Sequence, residues 1–486
     1  MLTPLRFNAS PIKFGTDGWR GVLGVDITLE RLMQVATASA QELRYRAPAN
    51  LISREVVIGY DRRFLAPELA MAICSAVSGC DLEPVFSETS VTTPACSWAV
   101  VQRKALGALV ITASHNPPEW IGLKIKGPFG GSVDGDFTKA VEKRISTGII
   151  VVPKSENRRC INIRQEHLDC LKAKFDLQFI SRTFKEIGLN VIVDPMHGSA
   201  SGCLKDIFKD CGNDFLTEIR MDRDPLFDGN PPEPLAKYLE KLIDTVHNSN
   251  AQVKPSIGIV FDGDGDRIAA IDEFGNYCST QLIMPLLIDH LIKTRDSPGS
   301  IIKTVSGSDL MRLVAEESGR EVKEFPVGFK YIASEMLSSE VLIGGEESGG
   351  LGFGMHLPER DALFTAILIL ETLAINRKSL GACLKELTSR FGKSYYDRID
   401  LRLENMSHRN KLEELLKQTP LKIVAGKTVK NIDEVDGIKI RLDKFFWLMF
   451  RFSGTEPLLR IYCEAPTSDL LKETLDWARN FAEKNE

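Results

Sequence analysis

Apolar residues recur along the chain with two periods that take turns. Residues 29–47 place them at helical spacing, whereas REVVIGYD (54–61) is a nearly unbroken apolar run of strand length. The stretch from Pro67 to Gly79 is helical and rich in small residues, and LEPVF (82–86) is again a strand. A further helix follows, and the apolar run ALVI (108–111) reads as a buried strand leading to Thr112-Ala113-Ser114. This alternation predicts α/β layers. The pattern restarts at KEIGLNVIVDPMHGSA (185–200) and at KPSIGIVFDGDGDRIAAIDEFG (254–275), the latter reading as strand, acidic loop, strand and turn. It restarts again at IIKTVSGSDLMRLVAEESG (301–319) and VLIGGEESGGLGF (341–353). Beyond about Arg390 the texture changes: SYYDRIDLRL and FFWLMFRF are β-rich, with charged helices between and after them. The expected fold is three similar α/β domains with mixed sheets plus a smaller α+β C-terminal domain. Their expected bounds are residues 1–152, 153–278, 279–392 and 393–486, with a polar stretch at 148–165 near the first boundary.

Composition narrows the function. Net charge is 61 − 66 = −5 over 486 residues, which argues against a nucleic-acid partner. It leaves room for small anions, because a few local cations suffice. Ten cysteines without C-x-x-C spacing indicate neither a zinc ribbon nor a disulfide framework, and free thiols suit a reducing cytosol. The N-terminus has no apolar core of a signal peptide, and ALFTAILILETLAI (362–375) is too short for a bilayer and contains Glu371. No membrane partner is expected, and the cytoplasm is the expected compartment.

Four loops carry candidate chemistry. In TASHNPP a buried strand stops at Ser114 and His115 and is locked by Pro117 and Pro118, so the hydroxyl is presented rather than packed; a capped turn would look similar. In DGDGDR, Asp262, Asp264 and Asp266 alternate with glycines that let their oxygens converge on a divalent cation. A calcium EF-hand is the rival, since Glu273 is twelfth from Asp262; however, Arg267 holds the sixth position, where that loop needs glycine. A solvated acidic turn is the plainer alternative. Arg267 could neutralise the acids or orient a phosphate. In RFSGTEP, Arg451, Ser453, Gly454 and Thr455 would form an anion nest between two strands, a simple β-turn with a surface arginine being the plainer alternative. In GEESGG, Glu346, Glu347 and Ser348 could bind sugar hydroxyls, an acidic surface loop being the alternative. FGTDGWRG and PVGFKYI each set a cation, Arg20 or Lys330, and an aromatic, Trp19 or Phe329, beside glycine.

Taken together and in their order along the chain (TASHNPP, DGDGDR, GEESG, RFSGTEP), the loops resemble those of the α-D-phosphohexomutases, the phosphoglucomutase/phosphomannomutase enzymes, from Phe14 to about Tyr462. The resemblance implies four domains around a central active-site cleft. It implies that Ser114 is carried as phosphoserine, with one Mg²⁺ per chain held by Asp262, Asp264, Asp266 and a phosphate oxygen on Ser114. Arg20, Lys124 and His115 then serve phosphate contact and proton transfer, Lys124 needing a lowered pKa. Arg267, Gly328, Lys330, Glu346, Ser348 and Arg360 join Arg451, Ser453, Gly454 and Thr455 as substrate ligands. The chain departs from some members: Gly350 stands where phosphomannomutases and phosphoglucosamine mutases usually carry histidine, Phe329 where some of them do, and Glu346-Glu347 where they have a single acid. That tilts the expected substrate toward glucose phosphates. The implied reaction interconverts glucose 1-phosphate and glucose 6-phosphate, with mannose phosphates as further candidates. Glucose 1,6-bisphosphate is the implied intermediate and activator. The alternative is a synthase that releases the bisphosphate and takes its phosphoryl group from a donor such as fructose 1,6-bisphosphate. A zinc phosphatase is disfavoured because the histidines are not clustered in sequence, and a silent sugar-phosphate binder because Ser114, Lys124 and the three aspartates are all kept. Small sugar phosphates are the expected partners, and the chain is expected to be a monomer or homodimer.

Overall fold

The computed structural model describes residues 11–15, 17–149, 152–154, 158–250, 255–453 and 457–485. Its first sheet is mixed. It contains β1 (Trp19–Val22), β2 (Glu55–Tyr60), β3 (Glu83–Ser87), β4 (Gly107–Ile111), β5 (Trp120–Lys126) and β6 (Arg159–Ile161), in the order β1-β5-β4-β2-β3-β6. β2 runs parallel to β3 and β4, while β5 is antiparallel to β4 and β1. The two-residue period of β2 sends Val56 and Ile58 into one core with helices Leu29–Tyr45 and Ala66–Gly79. Val57 goes to the other face, against Ala95, Cys96 and Ala99 of helix Thr93–Arg103. Burial on both faces is why the strand reads as an unbroken apolar run. β6 extends this sheet to Ile161, past the expected boundary at residue 152.

The second sheet holds β7 (Asn190–Asp194), β8 (Leu216–Glu218), β9 (Ser256–Phe261), β10 (Ile268–Ile271) and β11 (Tyr277–Cys278), ordered β11-β10-β9-β7-β8. β9 and β10 pair antiparallel and bracket the acidic loop.

By contacts the chain divides into two compact units: Met1–Thr280, Gly328–Ser339 and Ser348–Cys383 form one, and Gln281–Val327, Glu340–Glu347 and Leu384–Glu486 the other. The second unit contains β12 (Ser300–Thr304), parallel to both β13 (Val322–Phe325) and β14 (Val341–Gly345). After β15 (Leu351–Phe353) come β16 (Tyr395–Arg402), the ribbon of β17 (Ile423–Val424) and β18 (Lys427–Thr428), β19 (Asn431–Asp433), β20 (Ile438–Asp443), β21 (Phe446–Phe452) and β22 (Leu458–Ala465). β16-β22-β21-β20-β19 is an antiparallel sheet whose core, with Leu448, Phe450 and Ile461, also takes Leu475 and Ala478 of helix Ser468–Lys484.

Helix Ala362–Asn376 is a core helix, buried along nearly its whole length. Among the described residues no helix is long and apolar enough to cross a membrane. All ten cysteines are free thiols.

Candidate active site

β4 ends at Ile111, and Thr112-Ala113 carry the chain to Ser114, which is 1% exposed and has φ +53°, in the left-handed region that L side chains disfavour. Arg63 holds it there. This buried guanidinium donates to four carbonyls of one loop: Ser114 at 2.7 Å, Asn116 at 2.6 Å, Pro117 at 2.7 Å and Trp120 at 3.0 Å. Asp61 pairs with its Nε at 3.2 Å, and the Phe227 ring packs against its face at 5.0 Å. The Ser114 N–H donates to Thr112 Oγ1 at 2.8 Å. The strained corner is over-determined, as a reactive hydroxyl presented on a stiff loop requires.

That hydroxyl faces the acidic loop. Ser114 Oγ donates to Asp262 Oδ2 at 2.9 Å, and His115 Nδ1 lies 3.2 Å from the same Ser114 oxygen. A Cβ on Gly263 would meet the Ser114 carbonyl at 2.5 Å, so glycine is what lets the two loops approach. Asp262 Oδ1 curls its own loop by accepting the N–H groups of Asp266 at 3.0 Å and Arg267 at 3.1 Å. The three carboxylates are fully buried, with ligand oxygens within 4.8 Å of one another. Burial, with Asp266 and Asp264 alongside, pushes the Asp262 carboxyl well above its usual range. Burial acts on Asp264 in the same sense, yet Lys124 and a hydrogen bond from Thr93 prevail and hold it low. Asp264 Oδ1 and Asp266 Oδ1 are buried without a hydrogen-bond partner. Converging, oxygen-only and with two oxygens left without a hydrogen bond, this set fits a hard divalent cation. Glu273 is engaged elsewhere, accepting the Gly381 N–H at 2.8 Å and the Ser379 hydroxyl at the start of helix Leu380–Phe391. The EF-hand rival is thereby removed.

The cations are interleaved with the acids. Lys124 Nζ, 1% exposed on β5, lies 2.8 Å from Asp17, 2.8 Å from Asp264 and 2.7 Å from Asp266. The expected lowering of its pKa is not found. Burial acts to lower it, but the three carboxylates outweigh burial and the amine is held firmly protonated. Burial, with Arg267 and Arg20 nearby, takes the His115 imidazole well below its ordinary range. Arg360 Nη2 pairs with Asp17 at 2.6 Å and Asp266 at 2.8 Å. Arg20 Nη1 donates to Asn116 Oδ1 at 2.9 Å and its Nη2 to the Asp17 carbonyl at 3.0 Å. Arg267 Nε stands 3.9 Å from Asp266.

Sequence reasoning missed Asp17 and Arg63. Asp17 sits inside FGTDGWRG and organises Lys124 and Arg360, but a lone acid beside glycine carries no local signal. Arg63, in GYDRRF, hydrogen-bonds to backbone carbonyls, which have no sequence pattern.

The remaining expected residues fall into two sets. In the first unit, Gly328 (φ +135°) precedes helix Phe329–Ser338, and Lys330 lines a small cavity together with Asp17 and Ser132. The Gly349 carbonyl accepts the Ile268 N–H at 3.0 Å, tying Ser348 to the exit of the acidic loop. A Cβ on Gly350 would come within 2.2 Å of Arg360 Cδ, so Arg360 occupies the space a side chain there would need. In the second unit, Glu346 is buried, and Glu347 accepts the Ser306 hydroxyl at 2.7 Å and faces Arg398 at 3.8 Å. Arg451 Nε donates to Asp436 at 2.8 Å, and the Ser453 carbonyl accepts Arg409 Nε at 3.0 Å. Gly454 and Thr455 lie outside the described residues. Ser114, His115, Lys124, Arg20, Arg360 and the three aspartates are thus gathered in one place, and Glu346, Glu347, Arg451 and Ser453 belong to the other unit. Two histidines do cluster: His167 Nε2 and His356 Nε2 each lie 2.8 Å from Asp361 Oδ2.

Comparison with known proteins bears on what this arrangement does. Four sequence models of phosphoglucomutase/phosphomannomutase match: alpha/beta/alpha domain I over residues 11–149, domain II over 165–275, domain III over 280–391 and the C-terminal domain over 404–480. A phosphoglucomutase/phosphomannomutase of Thermococcus kodakarensis is 29% identical over 472 residues, covering 95% of this chain and 96% of the relative. A phosphoglucosamine mutase of Latilactobacillus sakei is 28% identical, with 95% and 96% covered. A crystal structure described as a phosphomannomutase, from Thermus thermophilus, superposes with TM-score 0.84 at 32% identity over 98% of this chain and 100% of that one.

Proposed function

The chain belongs to the phosphoglucomutase/phosphomannomutase family of intramolecular phosphotransferases, and from that premise we propose that it moves a phosphoryl group between O1 and O6 of glucose. The observation that carries this reading is the Ser114 hydroxyl, strained into place and 2.9 Å from a buried carboxylate trio. Phosphorylated, Ser114 is the donor: its Oγ–P bond breaks as a bond from phosphorus to the sugar O6 forms. The O6 proton leaves to a neighbouring base, and Oγ takes up a proton as the phosphoryl group departs. Once the glucose 1,6-bisphosphate has turned over, its O1 phosphoryl group passes back to Oγ, which gives up that proton while O1 is protonated as the P–O1 bond breaks. Lys124, held protonated, is the acid beside the acidic loop, and neutral His115 lies 3.2 Å from Oγ. Asp262, Asp264 and Asp266 would hold Mg²⁺, which supplies charge compensation for the phosphoryl oxygens. Arg451, Ser453, Gly454 and Thr455 would bind the substrate's own phosphate, and Glu346 and Ser348 its hydroxyls.

Glucose is favoured because Gly350 cannot gain a side chain without displacing Arg360, and Phe329 packs under that same guanidinium at 5.4 Å. Neither position offers the histidine that the resemblance leads one to expect in phosphomannomutase or phosphoglucosamine mutase members. A glucosamine phosphate is the second reading, supported by the relatives named phosphoglucosamine mutases. Comparing kcat/KM for glucose 1-phosphate, mannose 1-phosphate and glucosamine 1-phosphate tests the assignment. Glucose should lead, and a preference for the amino sugar would reverse it.

A further inference from the structure

A four-residue turn in the second unit, residues 434–437, holds an acid that no motif singles out. Asp436 and Gly437 lie in the turn that joins β19 to β20. Gly437 has φ +91°, and a Cβ there would come within 2.3 Å of the Phe450 carbonyl and 3.1 Å of Arg451 Cα. Only glycine allows the turn to lie this close to β21, which brings Asp436 alongside Arg451. One oxygen, Asp436 Oδ2, then accepts two hydrogen bonds: from Arg451 Nε at 2.8 Å and from the Val327 N–H at 2.8 Å. Val327 packs against the cluster of Val305, Trp447, Met449 and Tyr462 and directly precedes the segment with Gly328 and Lys330, both expected substrate ligands.

We propose that Asp436 is a positioning residue, aiming the Arg451 guanidinium at the substrate's phosphate and tying it to the backbone where the Gly328–Lys330 loop begins. The inference rests on the reading of Arg451 as a phosphate ligand. Its chemistry is direct. A guanidinium held through Nε has its plane set, and its Nη–H groups can then meet a phosphate without first losing rotational freedom. Without the carboxylate, Arg451 must find that orientation itself, and the cost falls on substrate binding rather than on the bond-breaking step.

The test compares D436N, D436A and R451A with the parent enzyme. Each is assayed for KM and kcat with glucose 1-phosphate and for competitive inhibition by inorganic phosphate. R451A should raise KM and weaken phosphate inhibition. D436A should raise KM about tenfold and weaken phosphate inhibition in proportion, with kcat changed less than about twofold. D436N keeps the shape and a weaker acceptor, and should fall between D436A and the parent. The double variant R451A/D436A should match R451A, because Asp436 acts through Arg451. A role confined to stability would lower Tm and active fraction while leaving KM and the phosphate inhibition constant in place, and that result overturns the proposal, as does additivity in the double variant. Were D436A to misfold, D436N decides on the same readouts. If R451A itself leaves KM and phosphate inhibition unchanged, the phosphate-ligand reading has failed, and the role of Asp436 falls with it.

Discussion

At the scale of single residues, the site is a negotiation among buried charges. Asp262, Asp264 and Asp266 have no solvent to share their charge with, and Lys124 and Arg360 compensate only part of it. Changing Asp264 to Asn removes one ligand and leaves the hydrogen-bonding shape. Activity should drop by about 10²-fold or more while Tm stays close to the parent's. Titrating Mg²⁺ against both proteins checks this, and an unchanged metal requirement would disprove the ligand assignment. Arg63 makes a different prediction. Its planar fork reaches four carbonyls, and a lysine ammonium offers donors without that geometry. Arg63→Lys should therefore fold yet misplace Ser114 enough to cut kcat by about 10²-fold. Normal turnover in that variant would show that the prolines suffice to set the corner.

At the scale of elements, helix Ala362–Asn376 shows how an apolar segment is started and locked. Asp361 caps it by accepting the Phe364 N–H at 3.1 Å and uses its other oxygen for His167 and His356. The His356 ring stacks on Phe364 at 4.6 Å and on Trp98 at 5.8 Å. Burial holds the His356 imidazole below its ordinary pKa although Asp361 pulls the other way. The unfolded chain takes up that proton near pH 6.5, so below this the unfolded state binds more protons and stability falls on acidification. Asp361, held low against burial by His167 and His356, acts in the same sense at lower pH: its contribution is present above the unfolded carboxylate pKa of about 3.9 and fades toward its folded value. His356→Phe keeps the stacked ring and removes the proton site. Denaturant unfolding across pH 5 to 8 should show a flatter stability curve between about pH 5 and pH 6.5 for the variant, at a cost of about 1–3 kcal/mol at pH 7. Parallel curves for the two proteins would assign the acid sensitivity elsewhere.

For the whole molecule, the decisive quantity is the phosphoryl group itself. Intact mass measurement of purified protein should show one covalent phosphoryl group, absent in Ser114→Ala. Given glucose 1-phosphate and Mg²⁺, the enzyme should release glucose 6-phosphate, and free bisphosphate should not exceed the amount of enzyme. Bisphosphate accumulating beyond that amount with a bisphosphorylated donor present would identify a synthase instead.

Strand and helix periods, the buried Ala362–Asn376 segment and the loops built on glycine alternating with acid were legible in the sequence, because each is set by neighbours a few residues away. The pattern of apolar positions on both faces of β2 required layers on both sides. What the chain could not disclose locally were the partners brought from far along it: Asp17 to Lys124, Arg63 to the Ser114 corner, Asp436 to Arg451, and Arg360 into the space beside Gly350. The protonation of Lys124 belongs with these. Its candidacy came from the resemblance, but its charge state follows from three carboxylates delivered by two other loops, and the Coulomb sum of groups distant in sequence exists only once the chain has folded.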